Sequence, residues 1–217
     1  MFIMQEKTTN WTEYYTHPFF MSYLTRKFTA KKAVKMLKKH FNGNDIQKNK
    51  SLLELGGGGS TFFPFFSKKL NLIQYTALDK NEKGLEVFLE HAKYETSAKG
   101  ILCDFLSNSV PDEKYDIVCS FGLIEHFSPK DREKILRLHF QLTNPKGYTL
   151  ISFPTNIFPY HFFRKTAELC HLWKFHDEIP LEYHDVTQTC LQYGNILDIS
   201  INYFTIFTQA MILLQKK

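Results

Sequence analysis

A carboxylate followed by four glycines and a serine, Glu54-Leu55-Gly56-Gly57-Gly58-Gly59-Ser60, is the stretch of this chain best suited to hold a ligand with its backbone. Glycine reaches positive φ and has no Cβ, so a ligand can lie against bare peptide. Ser51-Leu52-Leu53 before it reads as a buried strand, and residues 60–70 are compatible with a helix whose first N–H groups lack partners. Strand, glycine turn and helix make a nucleotide cradle. Two further acids end short apolar runs. Asp79 closes Tyr75-Thr76-Ala77-Leu78, where an ionised carboxylate can accept strong hydrogen bonds from both hydroxyls of a ribose. Asp104 follows Ile101-Leu102-Cys103 and can accept from the amino group of a base, with the N–H of Phe105 available to the ring nitrogen beside it.

The spacing argues against the commonest nucleotides. A dinucleotide fingerprint needs G-x-G-x-x-G, but its last position falls on Thr61 or Phe62 in the two possible registers. A P-loop needs Gly-Lys-Ser/Thr after the glycines, and none follows. A nucleoside with a charged side chain fits better, because the turn then admits an amino-acid tail instead of a pyrophosphate.

The elements that must position these groups follow from periodicity. Strands are predicted over 51–55, 74–78, 100–103, 115–120 and 148–153, alternating with helices over 62–69, 82–94 and 129–142, with the turn Asn144-Pro145-Lys146-Gly147 before the last strand. Such alternation implies βαβ units, right-handed crossovers and a parallel sheet. One helix is predicted over 12–41. It buries Ala30, Val34, Leu37 and Phe41, exposes Lys31, Lys32, Lys35, Lys38 and Lys39, and stops at Asn42-Gly43-Asn44. The stretch 153–180 is aromatic and punctuated by Pro154, Pro159 and Pro180, which predicts helical pieces and a lid. A helix over 185–192 precedes strands over 196–203 and 207–214, which can pair only as an antiparallel hairpin.

Bulk properties bound the reading. The 217 residues suffice for one domain with a sizeable core. A net charge of +5 is too weak to argue for nucleic acid, so the lysine face reads as solvated. Cys103, Cys119, Cys170 and Cys190 contain no C-x-x-C pair and read as buried free thiols of a reducing compartment. No signal peptide or transmembrane run is visible, so a cytoplasmic location is expected.

Together these residues resemble a known family. Glu54-Leu55-Gly56-Gly57-Gly58-Gly59-Ser60 is similar to motif I, D/E-x-G-x-G-x-G, of the class I S-adenosylmethionine-dependent methyltransferases. Asp79 matches that family's ribose-binding acid and Cys103-Asp104-Phe105 its adenine-contacting position. Tyr115-Asp116-Ile117-Val118-Cys119-Ser120-Phe121-Gly122-Leu123-Ile124-Glu125-His126-Phe127 resembles its strand-four motif, and Leu142-Thr143-Asn144-Pro145-Lys146-Gly147 its L-K-P-G-G turn. The resemblance spans 52–153. It departs at Ser60, in place of the third motif glycine, which puts the approach of the methionine tail in question, and at Asn-Pro-Lys-Gly.

The resemblance implies an α/β, Rossmann-like, mostly parallel seven-stranded sheet with a C-terminal antiparallel hairpin and helices on both faces. The chain then divides as one domain into a helical cap (1–50), a cofactor-binding core (51–153), an aromatic lid (154–180) and a closing helix with hairpin (181–217). It implies S-adenosylmethionine as cofactor and S-adenosylhomocysteine as product, held by Glu54, Gly56, Gly57, Gly58, Asp79, Lys80, Cys103, Asp104, Phe105, Ser120, Phe121 and Gly122. Methyl transfer in this family is an in-line displacement in which alignment supplies much of the rate. A base is needed only if the acceptor must lose a proton, and His126, Glu125, Tyr14, Tyr15 and His17 are the candidates. Packing or helix capping accounts for Glu125 and His126 equally well. Tyr14, Tyr15, Phe19, His126, Phe158 and Tyr160 are candidate substrate contacts, in two aromatic segments that also include Phe162, Phe163, Trp173 and Phe175. No metal is expected, since His161, His171 and His176 are irregularly spaced. The motifs of amino-directed DNA, protein arginine and magnesium-dependent catechol methyltransferases are absent, which leaves a small-molecule or lipid-like acceptor. Two alternatives stand beside it: an RNA methyltransferase using the lysine face, and a non-catalytic protein of the same fold that binds a partner through its aromatic segment.

Overall fold

Leu52, Leu53 and Leu55 have almost no solvent exposure because the strand that carries them, β1 (Lys50–Leu55), runs through the middle of a sheet. The computed structural model describes residues 8–17, 20–41, 50–95, 97–107, 109–158, 160–170, 173–202 and 208–217. Around β1 stand β2 (Leu72–Asp79), β3 (Ala98–Leu102), β4 (Tyr115–Phe121), β5 (Thr143–Pro154), β6 (Gly194–Asn202) and β7 (Gln209–Lys216), in the order β3-β2-β1-β4-β5-β7-β6. The first five pair in parallel. β7 is antiparallel to both β5 and β6, and its short connection to β6 requires the latter pairing. The order reverses between β1 and β4, and open α/β sheets bind ligands beyond the strand ends at that point.

Two apolar layers clamp the sheet. On one face α2 (Phe20–His40), α3 (Phe63–Leu70) and α4 (Glu82–His91) pack Leu37, Phe66 and Phe88 against Leu52, Tyr75 and Leu150. On the other, α5 (Pro129–Leu142) and α7 (Tyr183–Cys190) pack Ile135, Phe140 and Val186 against Leu53, Val118 and Ile212. Each such large side chain contributes roughly 1.5–3 kcal/mol on burial. α6 (Tyr160–Leu169) lies in the segment after β5.

Several expected boundaries shift. The helix predicted over 12–41 is two helices, because α1 (Trp11–Thr16) ends at His17 with φ −131° and ψ 67°. His17 precedes Pro18, and the residue before proline is sterically disfavoured in helical geometry. The turn at 144–147 lies inside β5, which starts at Thr143; the register with β4 shifts there and Lys146 takes φ +60°. The helix predicted over 185–192 is α7, displaced by two residues. A 3-10 turn, Ile124–His126, follows β4 and was not anticipated by periodicity. Cys170 is exposed, unlike the other three thiols. The stop at Asn42-Gly43-Asn44, the start of the strand predicted over 207–214, Phe19 and His171 lie outside the described residues. Among the described residues, no helix is long and apolar enough to cross a membrane.

Candidate active site

β1 enters the glycine turn at Gly56, whose φ of +73° suits glycine, and a Cβ there would lie 2.9 Å from Leu123. A Cβ on Gly58 would lie 2.7 Å from Asp79 Oδ2, so the bare backbone lets the turn close onto the acid. Gly58 N–H donates to Asp79 Oδ2 at 2.8 Å, and Asn81 N–H donates to Oδ1 at 2.8 Å. Burial raises the Asp79 pKa, and the amides of Asn81 and Gly58 oppose that rise.

Other residues named by the motif support this floor from behind. Glu54 points into the protein, where its carboxyl accepts from Ser60 Oγ at 2.5 Å and from the Tyr75 hydroxyl. Burial pushes it up to about 7, against the pull of those hydroxyls. Ser60 therefore has its own reason to replace glycine: its Oγ ties the turn to Glu54 and accepts from Phe62 N–H at 3.2 Å. Gly57 packs its Cα side against Ala77 of β2. Ser120 is buried against His139 Nε2 at 2.8 Å. Asp104 is exposed and accepts from Leu106 N–H at 3.0 Å, holding a loop turn, while Cys103 beside it is buried. The cavity wall at this level consists of Gly56, Gly58, Asp79, Lys80, Phe105, Phe121 and Gly122; Glu54, Gly57, Cys103, Asp104 and Ser120 are not part of it. Phe62 stacks on Phe121 with centroids 4.1 Å apart.

α1 roofs the floor. Tyr15 lies across the glycines: a Cβ on Gly58 would meet its Cζ at 2.8 Å, and one on Gly84 its Cδ2 at 2.6 Å. Its hydroxyl donates to Asp79 Oδ2 at 3.1 Å, and burial with the neighbouring carboxylate raises the phenol's pKa far above its usual value. Trp11 and Tyr14 face the other way. Trp11 meets His126 edge-on at 4.9 Å, and Tyr14 meets Phe175 at 5.1 Å. Trp173 completes the wall against Phe175 at 5.7 Å. Asn10 caps α1 by accepting from Glu13 N–H, and the Thr9 hydroxyl donates to Asp177.

An acidic cluster sits between roof and floor. Glu125 and His126 come from the 3-10 turn after β4, and Asp177 and Glu178 from the segment before α7. One ligand atom each from Glu125, His126 and Glu178 lie within 4.8 Å of one another. Glu125 is 2% and Glu178 8% exposed. Burial drives the Glu125 carboxyl up to about 8, aided by Glu178 and opposed by His126. Burial disfavours the charged His126 ring, but its 3.1 Å bond from Nδ1 to Asp177, with Glu125 and Glu178 nearby, outweighs this and raises its pKa. Asp177 is conversely held down at about 2, because its bonds to His126 and Thr9 overcome burial. Glu178 accepts from the Tyr160 hydroxyl, and Arg164 donates to the Glu178 carbonyl at 2.8 Å.

One cavity of about 680 Å³ is lined by Gly56, Gly58 and Asp79 of the floor, Trp11, Tyr14 and Tyr15 of the roof, and Glu125, His126, Asp177 and Glu178 between them. Of the expected substrate contacts, Tyr14, Tyr15, His126 and Tyr160 reach it. Phe158 does not, being 77% exposed, and neither does His17, an exposed ring bonded to Thr16 Oγ1. Asp177, Glu178 and Arg26 also reach it, and no motif marks them. The pair Asp177-Glu178 between Trp173-Lys174-Phe175 and Pro180 is the available signal: acids embedded in an aromatic segment.

Residues 52–147 match the family model described as a methyltransferase domain. Solved structures share the fold. The magnesium protoporphyrin IX methyltransferase of Synechocystis PCC 6803 with bound S-adenosylhomocysteine has a TM-score of 0.71 at 12% identity, covering 89% of this chain and 84% of that one. The 1,6-didemethyltoxoflavin-N1-methyltransferase of Burkholderia thailandensis gives 0.65 at 14% identity, covering 87% and 78%. An N-methyltransferase of Bradyrhizobium japonicum WM9 in complex with S-adenosyl-L-homocysteine gives 0.62 at 8%, covering 86% of each. No curated protein matches the chain.

Proposed function

We propose that the chain, whose residues 52–147 match a methyltransferase domain and whose fold is shared with solved methyltransferases, is a class I S-adenosylmethionine-dependent methyltransferase that methylates a small organic molecule held under the aromatic roof. The observation that carries this reading is the single cavity joining Asp79 and the glycine turn to Trp11, Tyr14, Trp173 and Phe175. Aromatic and apolar walls with a few convergent polar groups are the usual make-up of a small-molecule site. Two of the structural neighbours named above carry a small-molecule acceptor in their names, which agrees with this choice.

The residues present fit the cofactor. Bare backbone at Gly56 and Gly58 allows close approach, and Asp79 is a buried acceptor at the end of β2. A carboxylate offers roughly four lone-pair directions, and three donors occupy Asp79 here, so one is open and the one held by Tyr15 is exchangeable. Phe105, Phe121 and Gly122 would flank a flat base and its tail. When bound, S-adenosylmethionine supplies an electrophilic methyl group. The chain's own part is alignment: Gly122 and Leu123 lie in the cavity wall beside Glu125, so an acceptor under the roof and a donor on the glycine floor would share one space. Calorimetric titration with S-adenosylhomocysteine tests the reading. Micromolar binding with a thermal upshift is expected; no binding and no shift would reject it.

A further inference from the structure

We propose that the acceptor is an amine, bound as its ammonium between Glu125 and Glu178 with its carbon skeleton against Trp11, Tyr14, Trp173 and Phe175. This deepens the reading above and rests on it for the methyl donor alone. The geometry begins with Glu125. Its carboxylate is almost fully buried on the cavity wall, and its Oε2 has no hydrogen-bond partner among the described residues. Such an atom forfeits its solvation unless the acid carries a proton, as burial favours in the empty site, or a donor reaches it. Its Oε1 faces Gly122, 3.4 Å from where a Cβ would stand, so whatever Glu125 holds lies at the junction of roof and floor.

The surroundings specify the donor. The ion pairs beside the cluster are His126–Asp177 and Arg164–Glu168; neither Glu125 nor Glu178 pairs with a lysine or arginine among the described residues. His126 is the nearest cationic ring and is bonded to Asp177, and burial favours the neutral form of both acids, so an ammonium placed between Glu125 and Glu178 would let them ionise. An ammonium brings three N–H donors, enough for both carboxylates. Beside the acids the wall carries the rings of Trp11, Trp173 and Phe175, and aromatic faces attract an organic cation; the Tyr14 ring already has Arg26 over it at 5.5 Å. A divalent metal fits the same walls less well. Glu178 is already engaged by Tyr160 and His126 Nδ1 by Asp177, and a metal with three protein ligands would keep waters that these rings cannot hydrogen-bond.

The chemistry closes. The ammonium gives one proton to the Glu125 carboxylate and becomes a neutral amine. Its lone pair forms the new N–C bond as the S–C bond breaks, with that bond's electrons remaining on sulfur. The methylammonium product keeps one positive charge, which Glu178 balances, and Glu125 returns its proton to solvent as the product leaves.

The test uses the full chain and the isosteric pair 2-phenylethylamine and 2-phenylethanol, followed by a panel of primary and secondary alkyl and aryl amines. Quenching of Trp11 and Trp173 fluorescence reports binding with or without cofactor. Methyl transfer from S-adenosylmethionine is read by mass spectrometry. The amine is expected to bind at least about tenfold more tightly than the alcohol and to gain one methyl on nitrogen. Glu125→Gln is expected to erase that preference while S-adenosylhomocysteine affinity holds within about twofold. Equal binding of amine and alcohol in the wild type, silence across the amine panel, or an unchanged preference in E125Q would overturn the proposal, and the first two need no variant to fold. Micromolar binding of Mn²⁺ alone, lost in E125Q, would overturn it in favour of a metal site. Failure to bind S-adenosylhomocysteine would instead strike the methyltransfer reading, and the amine–alcohol comparison would still decide the ligand class.

Discussion

The floor and the roof of the cavity are built by opposite means. The floor, from Gly56 to Gly122, is backbone: glycines at positive φ, amides aimed at one acid, and strand ends brought level by parallel pairing. The roof, from α1 and the 154–182 segment, is side chains meeting from distant positions, as where Thr9 bonds Asp177 across 168 residues. A backbone site depends on a few residue types in a fixed order. A side-chain site depends only on the tertiary structure that assembles it, so it can change its ligand without disturbing the sheet.

That contrast is open to direct test. Asp79→Ala strikes the floor where three donors converge, and S-adenosylhomocysteine affinity should fall about a hundredfold by calorimetry. A loss under about threefold would mean that the floor does not hold the ribose through this acid. The junction should show itself in stability. The folded-state pKa of Glu125, about 8, lies above the ordinary 4.5, so the folded protein binds the extra proton between those values. Stability is then fully present below the lower value and declines as pH rises through the upper one. In E125Q this slope should shrink, so its melting temperature should exceed the wild type's by several degrees at pH 9 and match it at pH 5. Parallel curves would show that burial of this carboxylate costs nothing.

Smaller effects separate the two regions further. Trp11→Ala should lower kcat/KM for the acceptor about tenfold and leave S-adenosylhomocysteine affinity within about twofold. If both fall together, roof and floor are one unit. Tyr15→Phe should tighten S-adenosylhomocysteine binding by about threefold to fivefold, because the phenol no longer competes for Asp79 Oδ2. Weaker binding would make the hydroxyl a ligand contact instead of a competitor. Least of all, reversing Lys31 and Lys35 to glutamate should change turnover by less than about twofold, since both lie on the exposed side of α2. A large loss there would revive an RNA acceptor.

The sheet was legible because each strand ends in its own punctuation. Leu52 to Leu55 before the glycines, Asp79 after an apolar run, and the hairpin at the end all announce themselves locally. The motif names residues by position and carries no direction: Glu54 and Ser60 sit in it, and they bond each other beneath the turn. Proline at position 18 carried the information that 12–41 is two helices, but the helical periodicity on either side masks it. Glu125 and His126 were visible as an isolated pair after strand four. Their partners Asp177 and Glu178 lie some fifty residues on, and no period connects them.

α1 is six residues long and touches both halves of the cavity. Tyr15 holds Asp79, Thr12 accepts from Asn81 at 2.9 Å, and Trp11 and Tyr14 wall the other side. A helix of fewer than two turns moves as one body, so clearing Tyr15 from the acid also moves Trp11 and Tyr14. Any linkage between the two halves of the cavity would have to pass through this helix, and reciprocity would make its factor equal in both directions. The size of that factor is what the Trp11→Ala comparison reads: near one, α1 is a passive roof; well away from one, six residues tie the two ends of the cavity together.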